Sequence, residues 1–144
     1  MFTSAHSSPF GRAGGMASAY ARVGVETSVE AASPHRLIAL LFDGYMDALA
    51  AARGALRQGQ VEAKGKAISR AARIVDEGLK ASLNFAEGGQ LAEDLRSLYE
   101  YLALRLTQAN LRNDESILDE CVSLVEPLRA AWREIGSRAP AHAN

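Results

Sequence analysis

The chain has little of what disulfide scaffolds, metal enzymes and membrane proteins are built from. Its 144 residues include one cysteine and three histidines. The lone thiol, Cys121, has no partner for an internal disulfide, and we expect it to be a small buried apolar residue. No apolar stretch approaches the roughly 20 residues of a membrane span, and none follows a basic start as in a signal peptide. We therefore expect a cytoplasmic protein that does not insert into a membrane.

The chain also lacks an excess of charge of either sign. Sixteen basic and 17 acidic residues leave a formal net charge of −1. Nonspecific binding to nucleic acid or to an anionic membrane usually needs a pronounced positive field. The charge balance therefore argues against a nucleic-acid partner.

The sequence also lacks the residue patterns of catalysis. His6 and His142 lie near the chain ends, and we expect His35 to be a solvated residue at a helix start. A di-metal helical bundle would need Glu-x-x-His pairs on facing helices, and the sequence contains none. The glycines at 11–15 are not followed by Lys-Ser or Lys-Thr, so no phosphate-binding loop is present. These absences predict a protein that is not an enzyme and holds no cofactor or metal.

What is present predicts four helices in one domain. The chain is 48% hydrophobic and 23% charged, which allows a buried core. Ser33 and Pro34 have the chemistry of a helix start, since Ser caps the free N–H groups and Pro suits the first turn. Turn signals at Gly59, at Gly88-Gly89 and at Asn113-Asp114 then divide the Ala- and Leu-rich region into helices at about 33–57, 60–84, 90–112 and 114–135. Pro127 predicts a kink near Ser123 in the fourth helix.

Short connections place sequential helices antiparallel, so the predicted fold is an all-α, up-down four-helix bundle. We assign the bundle to residues 33–136. Residues 1–32, rich in Ser, Gly and Ala, are expected to form a mobile N-terminal segment, and 137–144 a disordered tail.

Helices one and three carry more apolar surface than one packing stripe requires. Beside the expected core stripe of helix one runs a second apolar row, and helix three has apolar residues on a second side. Such a surplus predicts a groove for an amphipathic partner helix, or a homodimer formed through the same rows. The residues expected to contact a partner are Ile38, Phe42, Tyr45, Met46, Leu49, Tyr101, Leu104 and Leu111.

Several long stretches resemble one known family. The runs YARVGVETSVEAASPHRLIALLFDG, LKASLN, GGQLAEDLRSLYEYLALRLTQANLRND and RAAWREI are similar to the bacterial flagellin secretion chaperones, the FliS family. The resemblance covers about residues 20–135. It departs from the family at Pro127 and in the longer stretch before Tyr20.

The resemblance implies a cytosolic chaperone without enzymatic activity. A member of this family binds the disordered C-terminal segment of flagellin, prevents premature polymerisation and brings the subunit to the flagellar type III export gate. By matching position, Tyr20 corresponds to the family's N-terminal tyrosine, which is implicated in contact with the export gate protein FlhA.

Overall fold

The chain folds into four consecutive helices. The computed structural model describes residues 33–138, so Tyr20, the N-terminal segment and the last six residues lie outside the described part. The described part contains helices and no strand. This confirms the predicted all-α four-helix bundle, whose helices are α1 (Pro34–Arg57), α2 (Val61–Arg73), α3 (Phe85–Arg112) and α4 (Glu115–Arg138).

The start of α1 follows the predicted chemistry. The Ser33 hydroxyl accepts a hydrogen bond from the Arg36 backbone N–H at 3.1 Å, and Pro34 occupies the first turn. The helix ends at Arg57, and Gly59 supplies the positive φ of 72° in the connection to α2. Serine stabilises the start of α1 as its cap, and glycine suits the positive φ after its end.

The connection between α2 and α3 differs from the prediction. The α-helical part of α2 ends at Arg73 and continues as a π-helical segment, Ile74–Lys80. Asn84 does not end the second helix but begins the third, since its side chain accepts a hydrogen bond from the Glu87 N–H at 3.2 Å. The predicted turn at the glycine pair is an interruption within α3, where Gly89 has φ 52° and ψ −127°.

The last connection agrees with the prediction. Asn113 adopts the left-handed conformation with φ 52°, and the Asp114 carboxylate accepts hydrogen bonds from the N–H and hydroxyl of Ser116. Helix α4 then runs through Pro127 to Arg138, beyond the predicted end at 135.

Contacts at both ends of the bundle show the antiparallel order. The Arg57 guanidinium, at the end of α1, donates to the Glu115 carboxylate at the start of α4, with an Nε to Oε1 distance of 2.9 Å. At the other end, His35 contacts Trp132. The Lys64 ammonium of α2 is buried and donates to the Asn110 carbonyl of α3 at 3.0 Å.

The core receives apolar side chains from all four helices and the π-helical segment. A buried polar contact crosses it, since the Tyr45 hydroxyl donates to the Cys121 carbonyl at 3.1 Å. Burial raises the pKa of Tyr45 and raises the pKa of the Cys121 thiol to about 12. Among the described helices, none is long and apolar enough to cross a membrane. The largest fully buried side chains are Tyr45, Leu41, Leu49, Ile74, Leu102, Leu106, Leu118, Val75, Val125 and Cys121.

Candidate functional site: an apolar groove at one end of the bundle

A groove of about 580 Å³ opens at the end of the bundle where α1 begins and α4 ends. Its walls come from the first turns of α1 and α3, the last turns of α4, and the chain that leaves the π-helical segment. Glu87 is the one carboxylate among its described lining residues, and no basic side chain lines it. The lining residues are Ile38, Phe42, Leu79, Ser82, Leu83, Asn84, Glu87, Gly88, Leu91, Ala92, Leu95, Tyr99, Leu128, Ala131, Trp132 and Ile135.

The inner part of the groove consists of well-packed core residues. Phe42 is 4% exposed, and Leu79 and Tyr99 are also buried. The Tyr99 hydroxyl is neutral at physiological pH, and burial raises its pKa further, to about 12. The groove therefore has an apolar and uncharged inner wall.

The outer part of the groove exposes large apolar side chains. Leu91 of α3 is 66% exposed, and Ile135 of α4 is 52% exposed. Both also line the cavity, which gives it an open apolar margin. Exposed apolar residues that border a cavity are typical of a site for a partner rather than of a closed core.

The glycine pair shapes the α3 wall. Gly89 has a positive φ that residues with a side chain rarely adopt. A Cβ on Gly88 would lie 2.8 Å from the Cβ of Ala92, so the chain passes too close for a side chain there. These two glycines allow α3 to change direction just before Leu91.

A ring stack closes the groove between α1 and α4. The His35 and Trp132 rings lie with centroids 4.6 Å apart and planes 6° from parallel. The His35 Nε2–H donates to the Trp132 carbonyl at 2.7 Å, and the Trp132 indole N–H donates to the His35 carbonyl at 3.0 Å. Since a carbonyl can only accept, the proton of the neutral ring is on Nε2. The expectation that His35 is merely solvated is therefore wrong.

Two of the predicted partner residues are core residues. Tyr45 and Leu49 are completely buried, so they offer no surface to a partner. The second row of α1 is not surplus, because α1 packs against both α2 and α4 and uses a wide apolar arc. Phe42 is also largely buried, but it lines the groove together with Ile38, so its predicted contact with a partner stays a prediction.

Other predicted residues lie outside the groove. Tyr101, Leu104 and Leu111 are exposed along one side of α3, and we call them the outer row. The Tyr101 hydroxyl donates to the Glu120 carboxylate at 2.5 Å, which holds that ring beside α4. Met46 is half-buried against the core.

Sequence reasoning missed most of the groove. Leu91, Leu128, Trp132 and Ile135 lie on the apolar stripes of their helices, and helical periodicity alone assigns such residues to the core. An apolar stripe shows which residues share a helix face. Near a bundle end, part of that face extends past the neighbouring helices and is not covered by them. The Gly-Gly pair just before Leu91 is the signal that could have pointed to this region.

Comparison with known proteins fixes the family. A family model described as flagellar protein FliS matches residues 16–139. The chain belongs to the FliS family. It is 50% identical over 121 residues to the flagellar secretion chaperone FliS of Salmonella typhimurium, covering 84% of this chain and 90% of that protein. It is 40% identical over 116 residues to the Escherichia coli flagellar secretion chaperone FliS, covering 81% of this chain and 85% of that protein.

A third FliS relative is similar over a comparable length. The flagellar secretion chaperone FliSB of Pseudomonas aeruginosa is 43% identical over 113 residues, covering 78% of this chain and 89% of that protein. The matched region of the FliS family contains all four helices and therefore the whole groove. The sequence resemblance to this family is confirmed.

Proposed function

We propose that this chain is a flagellar export chaperone that holds the disordered C-terminal segment of flagellin in the apolar groove. The groove itself carries the proposal, because it is an open apolar surface with exposed Leu91 and Ile135 at its margin. The names of the FliS relatives, flagellar secretion chaperones, supply the process in which such a surface would act.

The groove suits one turn or more of an amphipathic helix. Its apolar wall offers contact to residues spaced at i, i+3 and i+4 on one helix face, and Ser82, Asn84 and Glu87 lie where a polar face would meet water. The outer row of α3 gives the same segment a second apolar contact as it leaves the groove. We propose Ile38, Phe42 and Leu91 as groove contacts and Leu104 and Leu111 as contacts of the outer row.

Holding the segment explains both parts of the proposed role. Flagellin subunits polymerise through amphipathic faces near their ends, so a covered face cannot pair with another subunit. A disordered segment that folds on binding spends entropy on ordering, which keeps the complex specific yet releasable without ATP. This role requires no chemical step, in keeping with the chaperone names of the relatives.

Delivery to the export gate would use a different part of the chain. We propose that Tyr20, which precedes the bundle, contacts the export gate protein FlhA while the groove holds flagellin. In this arrangement the client and the gate bind separate residues, so the loaded chaperone can reach the gate without first releasing its cargo. The proposed place of action is the cytoplasm.

The proposal is tested by comparing two exposed apolar residues. Leu91→Glu puts a charge on the groove margin, whereas Val61→Glu puts one on a 69% exposed residue far from the groove. Neither change should unfold the bundle, since both side chains are solvated. Isothermal titration with intact flagellin should show at least about a tenfold loss of affinity for Leu91→Glu and little change for Val61→Glu.

A second arm of the titration uses flagellin that lacks its C-terminal segment. The proposal expects this flagellin not to bind the wild-type chain. If it binds as tightly as intact flagellin, or if Leu91→Glu binds like wild type, the groove does not hold the segment.

The alternative is a homodimer that covers the same apolar rows with a second copy. Sedimentation at increasing protein concentration separates the two functions. A chaperone that exposes its groove to flagellin should keep one mass over the range in which it binds its client, whereas a dimer through the groove would compete with flagellin.

A further inference from the structure

A second, smaller cavity lies beside the groove, between α1 and α4. Its volume is about 220 Å³, and Phe42 lines both cavities. The ring stack also separates them, since His35 lines the small cavity and Trp132 lines the groove. A group that enters the small cavity can therefore belong to a segment whose apolar side chains occupy the groove.

The small cavity is basic, in contrast to the groove. Three guanidinium groups, those of Arg36, Arg129 and Arg133, line it together with one carboxylate, that of Asp43. The Arg129 Nε donates to Asp43 at 2.8 Å, which raises the pKa of Arg129. The Arg133 guanidinium is 3.9 Å from the same carboxylate and well exposed. Asp43 is the one carboxylate among the described lining residues, and Arg129 also contacts the Glu126 carboxylate at 3.4 Å. Arg129 is therefore neutralised from two sides, whereas Arg36 and most of Arg133 are not.

The position of Arg36 does not favour a cation for the sake of helix stability. It lies in the first turn of α1, where the helix dipole favours acidic side chains, and that turn contains none. No described residue forms a hydrogen bond or ion pair with its guanidinium. Arg36 is exposed, and it adds to the cavity a guanidinium that no described carboxylate neutralises. It makes the cavity ready to accept an anion.

We propose that this basic cavity binds a carboxylate side chain of the flagellin segment that occupies the groove. The inference rests on the proposed function and adds a polar contact to it. Guanidinium groups bind carboxylates through paired, charge-assisted hydrogen bonds, and Arg36 and Arg133 have donors free of a close carboxylate. In a docked helix, an Asp or Glu that lies one helical turn from a residue in the groove would reach the basic cavity, because Phe42 lines both cavities.

This contact would give the groove a direction and a register. The apolar wall alone accepts many amphipathic helices in either orientation, because dispersion and burial are not directional. An acidic residue fixed in the basic cavity allows one orientation only. The cavity therefore selects the client, while the groove supplies most of the buried surface.

The test compares two charge-neutralised double variants. Arg36→Gln with Arg133→Gln removes two cations from the cavity, and Lys66→Gln with Arg112→Gln removes two exposed cations from the opposite end. Fluorescence anisotropy with a labelled peptide of the flagellin C-terminal segment measures the affinity of each. We expect about a tenfold or larger loss for the cavity variant, with a weaker salt dependence, and less than about a twofold loss for the control.

Changes in the peptide test the wild-type chaperone directly. A peptide whose Asp and Glu residues are replaced by Asn and Gln should bind wild type as weakly as the cavity variant binds the unchanged peptide. Amidation of the peptide's C-terminus should have no effect. If amidation alone abolishes the difference between the variants, the chain end is the ligand and the inference is wrong.

The remaining outcomes separate the two proposals. If wild type binds the peptide but the cavity and control variants lose affinity equally, the cavity has no special role and only this inference fails. If wild type does not bind flagellin or its peptide, the proposed function fails and the inference fails with it.

Discussion

Single side chains connect the first turn of α1 to the last turns of α4. The His35 and Trp132 rings are stacked, and each residue also donates a hydrogen bond to the other's carbonyl. Each such hydrogen bond contributes about 0.5–1.5 kcal/mol to stability. Because this stack also borders the groove, it couples local stability to the shape of the binding surface.

Gly136 makes room for the ring stack. A Cβ at this position would collide with the His35 imidazole, so Gly136→Ala should displace the ring and destabilise the bundle by about 1–3 kcal/mol. Gly54→Ala is the control, since a Cβ there meets nothing within 4 Å, and it should stabilise α1 by about 0.5–1 kcal/mol. Urea unfolding measures both changes. Equal free energies of unfolding for the two variants would contradict this account of His35.

The buried thiol predicts a pH dependence of stability. Burial raises the pKa of Cys121 from 9.0 to about 12, so the folded chain keeps the thiol proton to higher pH than the unfolded chain. The free energy of unfolding should therefore be unaffected by this group below about pH 9 and should fall as the pH rises from there toward 12. In Cys121→Ala the free energy of unfolding should fall less between pH 9 and 10 than in wild type. Above pH 10.0 the tyrosines that are buried in the folded chain begin to ionise in the unfolded chain and add to the fall. An unchanged pH profile in this variant would show that the thiol is accessible in the folded state.

For single residues, the sequence was informative about which side chains are buried but not about which side chains contact each other. The core positions Leu41, Cys121 and Leu106 follow from helical periodicity, since each lies on its helix's apolar stripe. The contact of His35 with Trp132 could not be predicted, because it depends on how far α4 extends and on the register of two helices distant in sequence. The burial of Leu49 was not foreseen either, because α1 packs against both α2 and α4 and so buries a wider arc than one apolar stripe.

Helix α3 has an interrupted backbone. It begins at Phe85 under the Asn84 cap, is interrupted at Gly89 and then continues to Arg112. The interruption places Leu91 on the groove margin, so a local backbone feature determines part of the proposed binding surface.

Gly89→Ala tests this role of the backbone. With φ 52° and ψ −127°, an alanine would be strained even though its Cβ meets nothing within 4 Å, and we expect a loss of about 1–3 kcal/mol in stability. Gly65→Ala is a helical control whose nearest contact is at 4.0 Å, and it should not destabilise the protein. Thermal unfolding followed by circular dichroism compares the two. If Gly89→Ala is as stable as Gly65→Ala, the interruption is not required by the fold.

The number and order of the helices could be predicted, because turn and capping residues mark each connection. Ser33, Gly59 and Asp114 act at the predicted places. The boundary near Asn84 was wrong because asparagine can either end a helix or cap the next, and only the contacts of its side chain decide. The π-helical segment also has no signal in the periodicity, which fits an uninterrupted α-helix nearly as well.

At the scale of the whole molecule, the two proposed tasks, holding flagellin and contacting FlhA, use different residues. The groove, the basic cavity and the outer row belong to the described helices, whereas Tyr20 lies outside the described residues. The apolar surplus of helices one and three predicted a groove but not its place, since it forms where the ends of α1, α3 and α4 meet the chain that leaves the π-helical segment. The family resemblance is the source of the proposed function, and the comparisons confirm the family.

The separation of tasks predicts the behaviour of Tyr20→Ala. Because Tyr20 is proposed to contact FlhA, this variant should bind flagellin with nearly unchanged affinity and lose its interaction with the gate protein. Parallel pull-downs with flagellin and with FlhA measure both. A variant that loses flagellin but keeps FlhA would reverse the assignment.

Site-specific photo-crosslinking tests the binding surface most directly. A benzophenone side chain is introduced separately at Leu91 in the groove, at Leu104 in the outer row and at Val61 as an exposed control. We predict crosslinks to intact flagellin from Leu91 and Leu104, none from Val61, and none from any position with flagellin that lacks its C-terminal segment. Crosslinks that persist with the truncated flagellin, or the absence of a crosslink from Leu91 while flagellin remains bound, would contradict the groove as the site of binding.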